Sequence, residues 1–230
     1  MRLAEGGMRV LVHYRRDADV AEAVRASLPG KGHATVQADL ARPLGAERLA
    51  HDALAVRGRV DVLVNNAGLY DEHPFTTIDL AAWQAAWRRT LALNLFAAAD
   101  LCFCIGRHMV ECGGGRIINV SSRGAFRGEP TAPAYGASKA GLNSLSQSLA
   151  QALAPHGVYV YVVAPGFVET EMVTEMLAGR AGDEIRRQSP LGRVAKPDEV
   201  AHTIAFLALG TTQFLTGAIV DINGASYLRS

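Results

Sequence analysis

The chain has 230 residues, 49% of them hydrophobic and 20% charged, with a net charge of +1. That length suffices for a sizeable α/β core, and the apolar share excludes a disordered tail. The near-neutral balance gives no electrostatic case for nucleic acid or an anionic membrane, so neither is expected as a partner. In chain order, residues 9–14 read as a strand and 18–28 as a helix. Strand 33–38, helix 44–57 and strand 60–65 follow, then a long helical stretch over 80–109. A strand over 116–121 precedes a helix over 133–155; strand 158–163, helix 198–209 and a short strand over 218–222 close the chain.

Alternating strands and helices predict an α/β, Rossmann-like doubly wound parallel sheet with helices on both faces. The strands are nearly all apolar, as doubly buried parallel strands should be. With no repeat or linker, residues 1–230 read as a single domain. No uninterrupted apolar run reaches the roughly 18 residues of a membrane span, and no signal peptide opens the chain. Cys102, Cys104 and Cys112 form neither a metal pattern nor an even set. The expectation is a cytoplasmic protein with reduced thiols and no metal.

The chemistry concentrates between Gly113 and Leu142. Tyr135 and Lys139 stand i, i+4, which places phenol and ammonium on one helix face. A nearby ammonium stabilises phenolate, so it is expected to lower the tyrosine pKa and poise a proton donor for a carbonyl/alcohol pair. Ser122 stands thirteen residues before the tyrosine. Ser121 is its rival, although alternation along a strand turns the two serines to opposite faces.

Asn65-Asn66-Ala67-Gly68 after a strand, Asn94 in the long helix, Ser122, Tyr135, Lys139, Pro165-Gly166 and Thr216-Gly217 come in the order of one family. On these motifs, nearly the whole chain resembles the short-chain dehydrogenases/reductases. The resemblance implies that Tyr135 is the general acid in reduction and that Lys139 depresses its pKa and bonds the nicotinamide ribose. It further implies that Ser122 polarises the substrate carbonyl and that Asn94 supports a water linking Lys139 to solvent. Asp39 and Leu40 match the pair flanking adenine. Asn66, Ala67 and Gly68 would offer backbone to the cofactor. Pro165, Gly166, Val168 and Thr170 would hold the nicotinamide carboxamide. Tyr14 stands where NAD-preferring members carry Asp, and Arg15 where NADP users often carry Arg. NADP(H) is therefore expected over NAD(H), with Arg15 meeting the 2′-phosphate.

The family's first strand and glycine-rich loop are absent, since residues 1–7 already read as the tail of the following helix. Three accounts compete: a true start upstream that adds about 20 residues of strand and loop, a real truncation, or a non-catalytic partner of an intact relative. The chain as written is expected to bind NADPH weakly. The tail, residues 189–228, looks most like 3-oxoacyl-(acyl-carrier-protein) reductases, so a small carbonyl or alcohol substrate, a 3-oxoacyl thioester among the candidates, is expected. Two departures weaken that branch: His156 before Gly157 and Gly113-Gly114-Gly115 before Arg116 stand where basic residues are common, and the usual closing Gly-Gly is Gly224-Ala225. Sugar or polyol dehydrogenases and an impaired scaffold protein are the alternatives. Arg123 and Arg127 could still serve as the basic residues that meet an acidic carrier, although each alone reads more readily as a solvated loop charge; residues 172–187 read as a substrate lid, and Trp83 with Trp87 as a packed pair or a cleft lining. Small apolar faces (Ala85, Ala86, Ala97, Ala98, Ala99, Ala140, Leu149, Ala150) suit packing in a homotetramer or dimer.

Overall fold

The computed structural model describes residues 1–170, 177 and 179–229. Part of the expected lid therefore lies outside the described residues. β1 (Leu11–Tyr14) pairs in parallel with β2 (Ala34–Gln37), Leu11 beside Ala34 and Tyr14 beside Gln37. A second parallel sheet runs β3 (Val62–Asn65), β4 (Gly115–Val120), β5 (Val158–Pro165) and β6 (Ile219–Ile222), in that order. Parallel neighbours need long crossovers, and helices supply them. These are α1 (Ala18–Ser27), α2 (Gly45–Arg57), α3 (Leu80–Leu91), α4 (Ala97–Glu111), α5 (Pro133–Leu153), α6 (Gly179–Arg187) and α7 (Pro197–Leu209).

Successive strand residues face opposite layers. Ile117 and Val160 pack with Leu49 of α2, Leu101 and Ile105 of α4 and Ala150 of α5, whereas Ile118, Tyr161 and Val163 pack with Leu207 and Ala208 of α7. Helices thus cover both sides, as expected. Among the described residues no backbone pairing joins β1 to β3, and the break falls where the family resemblance implies a further strand. Helices bridge it: α2 and α4 share one core, and Arg2, in a helical turn over Arg2–Glu5, donates to Asp198 of α7 at 2.7 and 2.5 Å.

The long helix is not continuous. A π turn over Ala92–Phe96 separates α3 from α4 and widens the helix at Asn94. Counting only uninterrupted apolar residues missed one property, because Leu80–Glu111 as a whole is long and apolar enough to cross a membrane by length and composition. Its Leu101, Ile105 and Met109 are buried against the second sheet, as in a core helix. Ala86, Ala97, Ala98 and Ala150 are likewise buried within this chain, which removes them from the faces expected to meet a second copy.

Candidate active site

The site is built on α5, which polar ties hold on one face. Pro133 starts the helix where its missing N–H is no loss. The next donor, the Ala134 N–H, is taken by Nε2 of His73 at 3.1 Å, and His73 Nδ1 donates to the Asp71 carbonyl at 2.6 Å. One turn on, Asn94 Nδ2 donates to Ser138 Oγ at 3.1 Å. Two turns further, Asn119 Nδ2 donates to Ser146 Oγ at 2.8 Å, and Asn119 Oδ1 accepts from Asn65 Nδ2 at 2.8 Å. Positions 134, 138 and 146 share a helix face, so α5 is fixed to the loop after β3, to the π turn and to β4. These ties set Tyr135 and Lys139 in place.

Asn94 also accepts from the Leu69 N–H at 2.7 Å and donates to the Leu69 carbonyl at 2.9 Å. Both protons of its amide nitrogen are thereby used, and the side chain ties the loop after β3 to the π turn and α5. Lys139 Nζ donates to the Val120 carbonyl at 2.8 Å, which locks the ammonium to the end of β4. Ser121 is buried and its Oγ donates to the Lys139 carbonyl at 3.3 Å. Ser122 is the serine hydrogen-bonded to the Tyr135 phenol, and its Oγ also accepts from Gly124 N at 3.0 Å.

A cavity of about 300 Å³ opens past the ends of β3, β4 and β5. Of the residues singled out from the sequence, Asn66, Gly68, Ser122, Tyr135, Lys139, Pro165, Gly166, Val168 and Thr170 line it. Ala67, Asn94, Arg15, Asp39 and Leu40 do not. Arg15 is exposed just beyond β1 and Asp39 Oδ1 accepts from Ala41 N at 3.1 Å, while Leu40 is buried in the core. Ser121 and Arg123, also named from the sequence, line it too, whereas Leu69, Tyr70 and Glu129 were not singled out. Tyr70 packs edge-on against Tyr135 with ring centroids 5.1 Å apart, and Phe167 faces Arg123. Trp83 and Trp87 lie 5.8 Å apart, with Trp83 packed on His73 and Phe75, so they are a packing pair and not a cleft lining.

Electrostatics departs from the sequence reading in one respect. Burial pushes the Tyr135 phenol up, and only its hydrogen bond to Ser122 works against that. Burial pushes the Lys139 ammonium down to about 8. Lys139 Nζ lies 5.8 Å from the centre of the tyrosine ring, and burial of the phenol, not the ammonium, sets the direction of its shift. Arg123 corrects a second expectation. It is not solvated but 3% exposed.

The cavity has room for a nicotinamide and its ribose. Gly68 lines the cavity, and a Cβ there would take up space in ordinary contact with Lys139 Nζ at 3.5 Å and Asn94 Oδ1 at 3.6 Å. At Gly166 it would stand 3.1 Å from Asn223 Cβ. The residues present therefore fit a nicotinamide cofactor, with a phenol and a hydroxyl left to face a second molecule.

A family model described as enoyl-(acyl carrier protein) reductase matches residues 1–225. Short-chain reductase protein NovJ of Streptomyces niveus is 36% identical over 230 residues, covering 97% of this chain and 86% of that protein. A 3-oxoacyl-(acyl-carrier-protein) reductase of Synechocystis sp. is 34% identical over 227 residues, 97% of this chain and 89% of that one. The crystal structure of a gluconate 5-dehydrogenase from Burkholderia cenocepacia in complex with NADP and tartrate superposes with a TM-score of 0.87 at 25% identity, covering 98% of this chain and 88% of that one.

Proposed function

The chain belongs to the short-chain dehydrogenase/reductase family, and on that footing we propose that it interconverts a carbonyl compound and its secondary alcohol with NADP(H). The observation that carries this reading is the meeting of Ser122, Tyr135 and Lys139 in one cavity beside Gly68.

When bound, the nicotinamide supplies or accepts the hydride. Ser122 and Tyr135 together hold the substrate oxygen, and the two hydroxyls supply the donors that a developing alkoxide needs. Tyr135 gives that oxygen its proton in reduction and takes it back in oxidation. A phenol raised by burial is the protonated form at neutral pH, which suits the donor. Lys139, held to β4, would offer its remaining N–H groups to the phenol and to a bound nicotinamide ribose. His73, Asn94 and Asn119 are positioning residues that act through α5. Asn66, Gly68, Pro165, Gly166, Val168 and Thr170 are proposed to hold the nicotinamide end. Arg15, Asp39, Leu40 and Ala67 are proposed for the adenosine end. Arg15 supports NADP(H), because a planar guanidinium matches a phosphate, and the solved relative is described with NADP.

The relatives' names divide between an acyl-carrier-protein substrate and gluconate, so they support an alcohol or ketone without choosing one. The test is oxidation of NADPH with a panel of simple ketones and 3-oxoacyl thioesters. Tyr135→Phe is expected to lose roughly 10²- to 10⁴-fold in kcat, the usual contribution of a positioned acid, with its fold intact. Equal turnover by the two proteins excludes Tyr135 as the proton donor.

A further inference from the structure

We propose that Arg123 anchors a carboxylate on the substrate, so that the reacting ketone or alcohol is an oxo acid or hydroxy acid. This rests on the carbonyl-reductase reading of the cavity and deepens it. Arg123 follows Ser122 directly and lines both the reaction cavity and the neighbouring one toward β6. It is 3% exposed, and its face lies over the Phe167 ring at 4.8 Å. Its two hydrogen-bond partners are neutral: Nη1 donates to Ser226 Oγ at 2.6 Å and Nη2 to Gln188 Oε1 at 2.6 Å. A guanidinium has five N–H donors, which leaves three without a protein partner among the described residues. Nε has no hydrogen-bond partner among the described residues, and the side chain lines both cavities.

The charge pattern around it points the same way. Every described carboxylate lining the two cavities already has an arginine: Glu129 has Arg127 at 3.7 Å, Glu199 has Arg193 at 2.7 Å, and Asp221 has Arg229 at 2.7 Å. Arg123 has none among the described residues. Burial and the nearby Arg127 lower its pKa to about 10 against the opposing pull of the Glu129 carboxylate, which is ion-paired to Arg127, and Arg123 stays a cation at neutral pH. A buried cation satisfied by neutral oxygens lacks its strongest partner. A carboxylate entering the cavity supplies it, and a guanidinium is a group that carboxylates pair with strongly. Because Arg123 and Ser122 are neighbours, that carboxylate and the oxygen between Ser122 and Tyr135 can belong to one small molecule.

The experiment compares acetoacetate and 4-oxopentanoate, each with its methyl ester, as substrates of the wild type, Arg123→Gln and Arg123→Lys. NADPH affinity is measured by calorimetry on the same proteins. The wild type is expected to favour the acid over its ester by at least about tenfold in kcat/KM, and Arg123→Gln to bring that ratio to about one by loss on the acid alone. Arg123→Lys should keep an intermediate preference, with NADPH affinity unchanged in both variants. Equal losses on acid and ester would make Arg123 a strut, and weakened NADPH binding in its place would assign it to the cofactor; either result overturns the proposal. If Arg123→Gln does not fold, the wild-type ratio decides, since turnover of the esters without preference for the acids also overturns it. Turnover of no ketone at all sinks the carbonyl reading and this anchor together.

Discussion

The two sheets differ in how completely they are built. β5 lies between β4 and β6 and is buried along almost its whole length, whereas among the described residues β1 and β2 pair only with each other and stay largely half-buried. A two-stranded sheet is marginal by itself, so the first sheet depends on α2 and its packing against α4. Every group proposed for the chemistry comes from β3 onward. Of the groups proposed for the adenosine end, Arg15, Asp39 and Leu40 follow the strands of the first sheet and Ala67 follows β3. On this proposal the 2′-phosphate contact and the reaction lie in different halves, and they should fail separately.

The largest expected effect lies in the complete half. Lys139→Met should lower kcat by roughly 10²-fold or more, as loss of a positioned acid–base partner does, and it should change the pH dependence of stability. The wild-type ammonium stands at about 8 against an ordinary lysine value of 10.5, so between those values the unfolded chain binds more protons than the folded one. Wild-type stability should therefore rise with pH across that window and Lys139→Met should lack the rise, as denaturant midpoints at stepped pH would show. Next comes the contrast between the sheets. Amides of β1 and β2 should exchange about a hundredfold faster than those of β4 and β5, because sheets that open locally do so below the global cost; equal protection would merge the two regions. His73→Ala removes the acceptor for the Ala134 N–H and should cost about 1–3 kcal/mol by leaving a buried donor unpaired. A kcat loss larger than the KM change in that variant would mark His73 as positioning and not merely structural. Smallest is Arg15→Ala, expected to weaken NADPH binding by about tenfold and to leave NADH unchanged, read by calorimetry with both cofactors.

Much of this was legible in the sequence, for identifiable reasons. Apolar strands and amphipathic helices follow from local periodicity, so most elements fall within a few residues of their expected bounds. The i, i+4 pair of Tyr135 and Lys139 fixes one helix face, and Ser122 at a strand end is a local fact too. What was not legible depends on tertiary neighbours. The burial of Arg123 is decided by Phe167, Gln188 and Ser226, which are remote in sequence. The cap that His73 gives Ala134 spans 61 residues. The π turn at Asn94 leaves no trace in hydrophobic spacing, and the raised phenol of Tyr135 reflects a degree of burial that composition does not reveal. A nearby signal for Arg123 did exist: it is a cation directly after the serine at the end of a buried strand.

The central claim, that Tyr135 passes a proton while nicotinamide passes hydride across one cavity, is tested most directly by a single turnover with NADPH deuterated at the transferring position. The wild type should place deuterium on the carbinol carbon of the product, and Tyr135→Phe, at equal cofactor occupancy, should place almost none. Absence of label in the wild-type product, or equal labelling by the two proteins, would contradict the account.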